Sequence, residues 1–285
     1  MFSTTFVGIC MFGDSHFQSQ YHNDQPYLKI SKGEVQPHTL ICLHGMFGGL
    51  SNYDAIIPYI DDCQIFVPAL PIHNGEEQRP SIRGISQWLD CFISDLQIQQ
   101  PILLGNSLGG HLALDYVIHH PKKVSALVLT GSSGIQEKNF GSSCPRRNDR
   151  EYIRKQAAQT FYDDRVDDEL LDEIMEIITN PAQLKNVLAM ARDTHEHSVE
   201  DKLETITQQV LLIWGRNDEI TPPDAARQFE QKLPNAELRW IEKCGHAPMM
   251  EHPKTFALLL NEFLIELQNK DKQKITDYEK NYSHL

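Results

Sequence analysis

The sequence predicts an α/β protein with a mostly parallel central sheet flanked by helices and a helical lid inserted into it. Three observations carry this reading. Short apolar runs of strand length alternate with stretches of helical period, the pattern of a parallel sheet whose crossovers are helices. The runs are apolar almost without interruption, as strands covered on both faces are. Residues 136–207 break the alternation: they contain no strand-like run, and 26 of their 72 residues are charged (ten basic, sixteen acidic), against 39 of the 213 elsewhere.

Residues 20–34 are expected to form an antiparallel hairpin ahead of the first parallel strand. Strands are then expected at 39–44, 64–67, 101–104, 124–129, 209–214 and 237–241. Helix 81–96 places Ile82, Ile85, Leu89, Phe92, Ile93 and Leu96 at intervals of three and four. A second helix starts at Leu108 and runs to 119. The last, 253–267, buries Phe256, Leu259, Leu260, Phe263 and Leu264. Within the insertion, 150–161, 166–178 and 181–192 have helical spacing, and Asn180-Pro181 marks a break. Residues 269–285 carry seven charges and few large apolar side chains, so a solvated tail is expected. The domain reading is a core of 1–135 and 208–285 interrupted by the lid at 136–207.

The chain has 285 residues, 26 basic against 39 acidic, for a net charge of −13. Such a surface repels phosphate backbones and anionic lipid, so nucleic acid and membrane are not expected as partners. Forty per cent hydrophobic and 23% charged residues exclude a disordered chain. No uncharged apolar run approaches the ~18 residues a membrane helix needs. Residues 1–11 lack the basic start and small-residue cleavage site of a secretory signal, which points to the cytoplasm. Cys10, Cys42, Cys63, Cys91, Cys144 and Cys244 are scattered singly, as buried or inert thiols in a reducing compartment would be.

The chemistry-bearing segment follows the strand at 101–104. Gly105-Asn106-Ser107-Leu108-Gly109 is G-x-S-x-G in a strand, turn, helix context. A serine at such a turn takes a strained backbone that lifts its hydroxyl above the sheet, which requires that Gly105 and Gly109 lack bulk. Ser107 then stands at a helix N-terminus, where the Leu108 N–H is placed to hold an oxyanion. A serine hydroxyl is a poor nucleophile at its free pKa and needs a base oriented by a carboxylate. Trp214-Gly215-Arg216-Asn217-Asp218 puts Asp218 just past a buried strand, and Cys244-Gly245-His246 puts His246 in the loop after the next. All three fall on loops at the carboxyl edge of the sheet, where sites on open parallel sheets gather. His44-Gly45-Met46-Phe47-Gly48-Gly49 lies on an earlier such loop. The N–H of Met46 is assigned as the second oxyanion donor, and His44 and Gly45 as structural support for the loop. Phe47, Met249 and Met250 are candidate pocket residues, the two methionines equally candidates for the core.

These motifs together resemble the serine hydrolases of the α/β-hydrolase fold, over nearly the whole chain from Tyr21 to Leu267. The resemblance implies a triad of Ser107, Asp218 and His246, acyl-enzyme chemistry, and a lid between the strands at 124–129 and 209–214. Within that superfamily, Gly105-Asn106-Ser107, Asn180-Pro181-Ala182-Gln183-Leu184, Trp214-Gly215-Arg216-Asn217-Asp218 and Lys243-Cys244-Gly245-His246 are similar to the meta-cleavage product hydrolases, which cut carbon–carbon bonds. That family has a tryptophan directly after the histidine, where this chain has Ala247, and a substrate-binding lid arginine near the position of Ile174. His44-Gly45-Met46-Phe47-Gly48 resembles small bacterial carboxylesterases, which need no carboxylate clamp. Hydrolysis of small to medium, largely apolar esters is therefore the expected activity. Carbon–carbon bond hydrolysis is the alternative, and a non-catalytic receptor on the same fold a third reading.

The acidic lid disfavours an anionic substrate, although Arg146, Arg147 or Arg192 supply local positive charge. No G-x-G-x-x-G or G-x-x-x-x-G-K-[ST] is present, and the histidines at 119, 120, 195 and 197 lack accompanying ligand motifs. No cofactor and no metal are expected. The expected partner is a small-molecule ester, and both monomer and homodimer are compatible with the sequence.

Overall fold

The computed structural model describes residues 11–12, 15–16, 20–73, 79–135, 146–163 and 166–282. Its centre is a sheet of eight strands: β1 (Gln20–His22), β2 (Gln25–Ser31), β3 (His38–Leu43), β4 (Cys63–Pro68), β5 (Ile102–Asn106), β6 (Ala126–Thr130), β7 (Gln209–Gly215) and β8 (Ala236–Ile241). Across the sheet they run β8-β7-β6-β5-β3-β4-β2-β1. The six strands from β3 onward are parallel to one another, with Leu40 opposite Ile102, Ile102 opposite Ala126 and Ala126 opposite Gln209. β1 and β2 form the expected hairpin, and β2 joins β4 antiparallel.

Strand burial explains the apolar runs of β3 to β7; β8, at the edge of the sheet, is buried only at Ile241, which corrects the reading of 237–241 as a strand covered on both faces. Successive residues of a strand point to opposite faces. Ile41, Leu43, Leu103, Leu127, Leu129, Val210, Leu212 and Trp214 therefore join one core, and Leu40, Cys42, Ile102, Leu104, Val128, Leu211 and Ile213 the other. The first core is completed by α1 (Ile82–Asp95), α2 (Leu108–His119) and α6 (Pro223–Lys232). The second is completed by α8 (Pro253–Tyr282), which follows the four-residue α7 (Pro248–Glu251), and by the turns around Tyr53 and Ile57. Ser81 caps α1 by accepting a hydrogen bond from the Gly84 N–H.

Between β6 and β7 the chain forms α3 (Arg150–Ala158), α4 (Asp168–Thr179) and α5 (Pro181–Glu196). The break at Asn180-Pro181 is a helix start: Asn180 caps α5 through Ala182 and Gln183, and Pro181 is its first residue. These helices have a small core of their own, built on Ile153, Leu171, Ile178 and Leu184. Three contacts carry them onto loops at the carboxyl ends of strands: Ser51 donates to Glu173 at 3.4 Å, Asn186 Nδ2 to the His73 carbonyl at 3.5 Å, and the His246 N–H to the Thr160 carbonyl at 2.7 Å. Asp193 of α5 also accepts from the Ile82 N–H, at 2.7 Å, at the start of α1.

The segment read as a solvated tail from residue 269 continues α8 and is helical as far as Tyr282. Its side chains at 269, 270, 272 and 273 are exposed, and no glycine or proline after Pro253 interrupts a run rich in lysine, glutamate and glutamine. Cys42, Cys63 and Cys244 are buried and Cys91 is exposed. Burial raises the Cys42 thiol and pushes Cys63 up to about 12, so both stay protonated. Cys10 and Cys144, the segment 136–145 of the insertion and residues 283–285 lie outside the described residues. No helix among the described residues is long and apolar enough to cross a membrane.

Helix α8 offers a direct test of which face is buried. Phe256 is fully buried and Leu258 is 58% exposed. Phe256→Ala is expected to lower the urea-measured unfolding free energy by about 3–5 kcal/mol, and Leu258→Ala by less than about 0.5 kcal/mol. Equal effects would contradict the packing.

Candidate active site

The order β5-β3-β4 marks a reversal. From β4 the chain crosses over β3 to β5, so the carboxyl ends of β3 and β5 open a crevice between diverging connections, the usual place for a site in such a sheet. Ser107 follows β5 there, with φ +55 and ψ −118, a backbone conformation that costs a non-glycine residue roughly 1–3 kcal/mol. It is held by the Ser107 N–H to the Thr130 carbonyl at 3.1 Å and by the N–H groups of Gly110, His111 and Ser133 to its own carbonyl at 3.0–3.2 Å. The two motif glycines are sterically required. A Cβ on Gly109 would stand 2.0 Å from the Leu43 carbonyl oxygen, and one on Gly105 would stand 2.4 Å from the backbone of Gly109. β3, β5 and α2 therefore meet without side chains between them.

Gly45 begins the loop after β3 and lies against the elbow: a Cβ there would be 3.5 Å from Ser107 Cβ and 3.4 Å from Asn106 Oδ1. The peptide of Met46 follows directly. Leu108 is the first residue of α2, so its N–H is one of those with no acceptor inside the helix. His44 is fully committed to the backbone. Its Nε2 accepts from the Leu70 N–H at 2.9 Å, which leaves Nδ1–H to donate to the Gly45 carbonyl at 2.8 Å. Burial pushes its pKa down to about 4, and a neutral ring with both nitrogens occupied braces the loop.

Asp218 and His246 meet from the ends of β7 and β8. The imidazole Nδ1 lies 2.9 Å from Asp218 Oδ2 and 3.1 Å from Oδ1, both side chains being buried. The carboxylate also accepts from the N–H groups of Ile220 and Thr221 at 2.9 Å and from the Thr221 hydroxyl at 2.9 Å. With the carboxylate accepting at Nδ1, the imidazole carries its N–H there and leaves Nε2 as the ring's acceptor. The other ring nitrogen, Nε2, takes no part in the bonds to Asp218. The two loops touch through Gly215, where a Cβ would stand 2.0 Å from the Gly245 carbonyl. Asn106 ties the backbone of the His246 loop to the elbow: its Nδ2 donates to the carbonyls of Thr130 at 3.1 Å and His246 at 3.0 Å.

Thr221, Asn106 and Gly215 escaped the sequence reading. Thr221 stands three residues beyond Asp218, the spacing at which a hydroxyl returns to a carboxylate, and that is the signal that would have found it. Phe47 is 39% exposed. Met249 is fully buried in the core that α8 completes. Met250 packs against the same core, with its sulfur 3.9 Å from Asn52 Nδ2.

Charge around the crevice comes from α4. Glu173 is half-buried where it meets Ser51, and burial first, then Glu169, Asp167 and Glu176, raise its pKa. Arg146, Arg147 and Arg192 are solvent-exposed, Arg146 lying over the Tyr152 ring at 5.6 Å. One turn below Ser107, His111 is enclosed with Nε2 3.1 Å from His197 Nδ1, and burial and the neighbouring His197 push it down to about 3. Among the described residues no cluster of three or more histidine, cysteine or acidic side chains is arranged to hold a metal.

A strained serine after a central parallel strand, with an aspartate and a histidine paired at the same edge, defines the α/β hydrolase architecture. The chain belongs to that family: its family model, described as alpha/beta hydrolase fold, matches residues 38–253. It is similar to a 2-hydroxymuconate semialdehyde hydrolase of Pseudomonas putida, 32% identical over 67% of this chain and 74% of that one. It is also similar to a pimeloyl-[acyl-carrier protein] methyl ester esterase of Aromatoleum aromaticum, 29% identical over 78% of this chain and 96% of the relative. Among solved structures it resembles MGS-MChE2, an α/β hydrolase enzyme from a lagoon-sediment metagenome, at 34% identity and TM-score 0.70, covering 87% of this chain and 98% of that one.

His44 and His111 make stability pH-dependent with a definite sign. Both are neutral in the folded chain down to about 4 and about 3, whereas the ordinary value of 6.5 applies once they are released. Below 6.5 the unfolded state therefore binds more protons, and stability falls as the pH drops. The urea-measured unfolding free energy is expected to decline by about 1.4 kcal/mol per pH unit per histidine between roughly pH 6 and 5. His44→Gln should remove about half of that slope, and a flat profile would contradict the burial of both rings.

Proposed function

We propose that this protein is a serine hydrolase of small to medium, largely apolar carboxylic esters. In this reading Ser107 is the nucleophile, His246 the base and Asp218 the carboxylate that orients it. The N–H groups of Met46 and Leu108 hold the oxyanion. The observation that carries it is the Asp218–His246 pair, with 2.9 Å between Oδ2 and Nδ1, at the edge where Ser107 adopts its strained turn. His246 Nε2 takes the hydroxyl proton as Ser107 Oγ adds to the ester carbonyl, and the negative charge develops on the carbonyl oxygen between the two N–H groups. The imidazolium then gives its proton to the leaving alcohol, and an acyl-enzyme remains. Water enters, loses a proton to His246 and attacks the acyl carbon, and collapse releases the acid and restores Ser107.

Residues 136–207 act as the lid over this crevice, a role supported by their contacts to the loops bearing Ser51, His73 and His246. The choice of an uncharged ester rests on charge. The half-buried side chain of the insertion that meets the loop after β3 is the carboxylate of Glu173, and Ile174 packs against the core of the insertion. A substrate carboxylate entering there meets an acid instead of a cation. A relative named for 2-hydroxymuconate semialdehyde keeps carbon–carbon bond hydrolysis as the second reading.

Turnover of short p-nitrophenyl esters should exceed that of ring-fission dienoates, and the reverse preference would overturn the ester assignment. A fluorophosphonate probe should label Ser107 in the wild type and fail with His246→Ala. Ser107→Ala and His246→Ala are expected to lower kcat on the order of 10⁶-fold, and Asp218→Asn about 10⁴-fold. A folded chain whose Ser107 is not labelled would instead be a binding protein.

A further inference from the structure

Glu251 ends α7 and turns both carboxylate oxygens onto main-chain donors. Oε1 accepts from the Gly245 N–H at 2.7 Å, with the Cys244 thiol 3.6 Å away, and Oε2 accepts from the Tyr162 N–H at 2.7 Å. Gly245 immediately precedes His246, and Tyr162 lies in the turn that follows α3. A second bond joins the same two segments directly, from the His246 N–H to the Thr160 carbonyl at 2.7 Å. The backbones are in contact: a Cβ on Gly245 would stand 2.6 Å from the Thr160 oxygen and 3.0 Å from the Tyr162 nitrogen. The turn bearing Glu251 is itself fixed, by the Glu251 N–H to the Ala247 carbonyl at 3.0 Å and by the His252 ring to the Lys243 carbonyl at 2.8 Å. All the partners of the carboxylate are donors, two of them main-chain N–H groups and the third a thiol. Only a group with two acceptor oxygens satisfies them, because an amide would turn its NH₂ toward one of the donors.

We propose that Glu251 is a positioning residue that clamps the His246 loop to the turn after α3, so that the seating of the helical insertion sets where the imidazole stands. The inference rests on the reading of His246 as the base. It gives the insertion a part in catalysis beyond covering the crevice: when the turn at 159–162 moves, the histidine backbone loses two of its supports together.

The full chain carrying Glu251→Gln or Glu251→Asp is compared with the wild type by ester hydrolysis from about pH 5 to about pH 9 and by NMR titration of the His246 imidazole. Glu251→Gln is expected to lower kcat about ten- to a hundredfold with KM changed less than about twofold. The acid limb of the pH profile and the imidazole titration should both move to lower pH, since the lost charge and any drift from Asp218 disfavour the imidazolium. Glu251→Asp, which keeps the charge on a shorter stem, should recover part of kcat. Should Glu251→Gln fail to fold, Tyr162→Pro, which removes the N–H on the insertion side while Glu251 keeps its charge, is expected to lower kcat in the same direction, with the imidazole titration moved only by drift from Asp218. Wild-type kcat and imidazole titration in the variants overturn the proposal, as does a loss of kcat that follows a lowered Tm while the acid limb stays put. The titration needs no turnover, so the two readings fail separately: an unlabelled wild-type Ser107 sinks the hydrolase assignment, and a labelled Ser107 with an unmoved imidazole sinks this one.

Discussion

The contact on which the structure turns is the side-chain-free junction of β3, β5 and α2. Gly109 presses its Cα against the Leu43 carbonyl while Gly105 packs on Gly109, and no methyl group fits in either place. Because the chain must leave β5 and enter α2 within one residue at that junction, Ser107 is forced to φ +55. A strained residue persists only where its surroundings over-determine it. Here they do so through hydrogen bonds from three N–H groups to one carbonyl, a fourth bond from the Ser107 N–H to β6, and burial of α2 from Leu108 to Val117. The hydroxyl is thereby presented at the edge of a rigid sheet instead of on a mobile loop.

The same edge collects everything else the chemistry needs, for a topological reason. Parallel strands end together, so the loops after β3, β5, β7 and β8 emerge on one side although their residues are far apart in sequence. Loops alone would not hold a geometry, and polar buried groups tie them together. Asn106 bonds the elbow to β6 and to the His246 carbonyl, Thr221 closes on Asp218, and Gly215 lets the two loops approach to backbone contact. The buried side chain of Asp218 has four donors around it, so none of its oxygens is left without a partner.

Much of this was legible in one dimension. The apolar runs gave their strands to within two or three residues at each end, and the helices at 81–96 and 108–119 fall where their periodicity put them. Ser107, Asp218 and His246 were readable because each lies in the loop that leaves the carboxyl end of a strand. Asn106 was quoted only as part of a motif, since its two acceptors lie on β6 and on a loop 140 residues away. Glu251 was invisible for the same reason: its bonds to Gly245 and Tyr162 exist only once α7 and the turn after α3 are brought together. The helical continuation of α8 had no signal of its own, because polarity along 269–285 points to solvent and a solvated helix is as polar as a solvated coil.

The sequence by itself determined the class of fold, the order of its strands along the chain and the identity of the nucleophile, base and acid candidates. Those depend on local properties: period, turn chemistry and which residue follows which strand. Only the tertiary structure decided the supports of the site, the burial of Met249 in the core and the sign of the charge that α4 brings against the loop after β3. Those depend on which surfaces meet, and a pair such as Ser51 and Glu173, 122 residues apart, has no local signature before the chain folds.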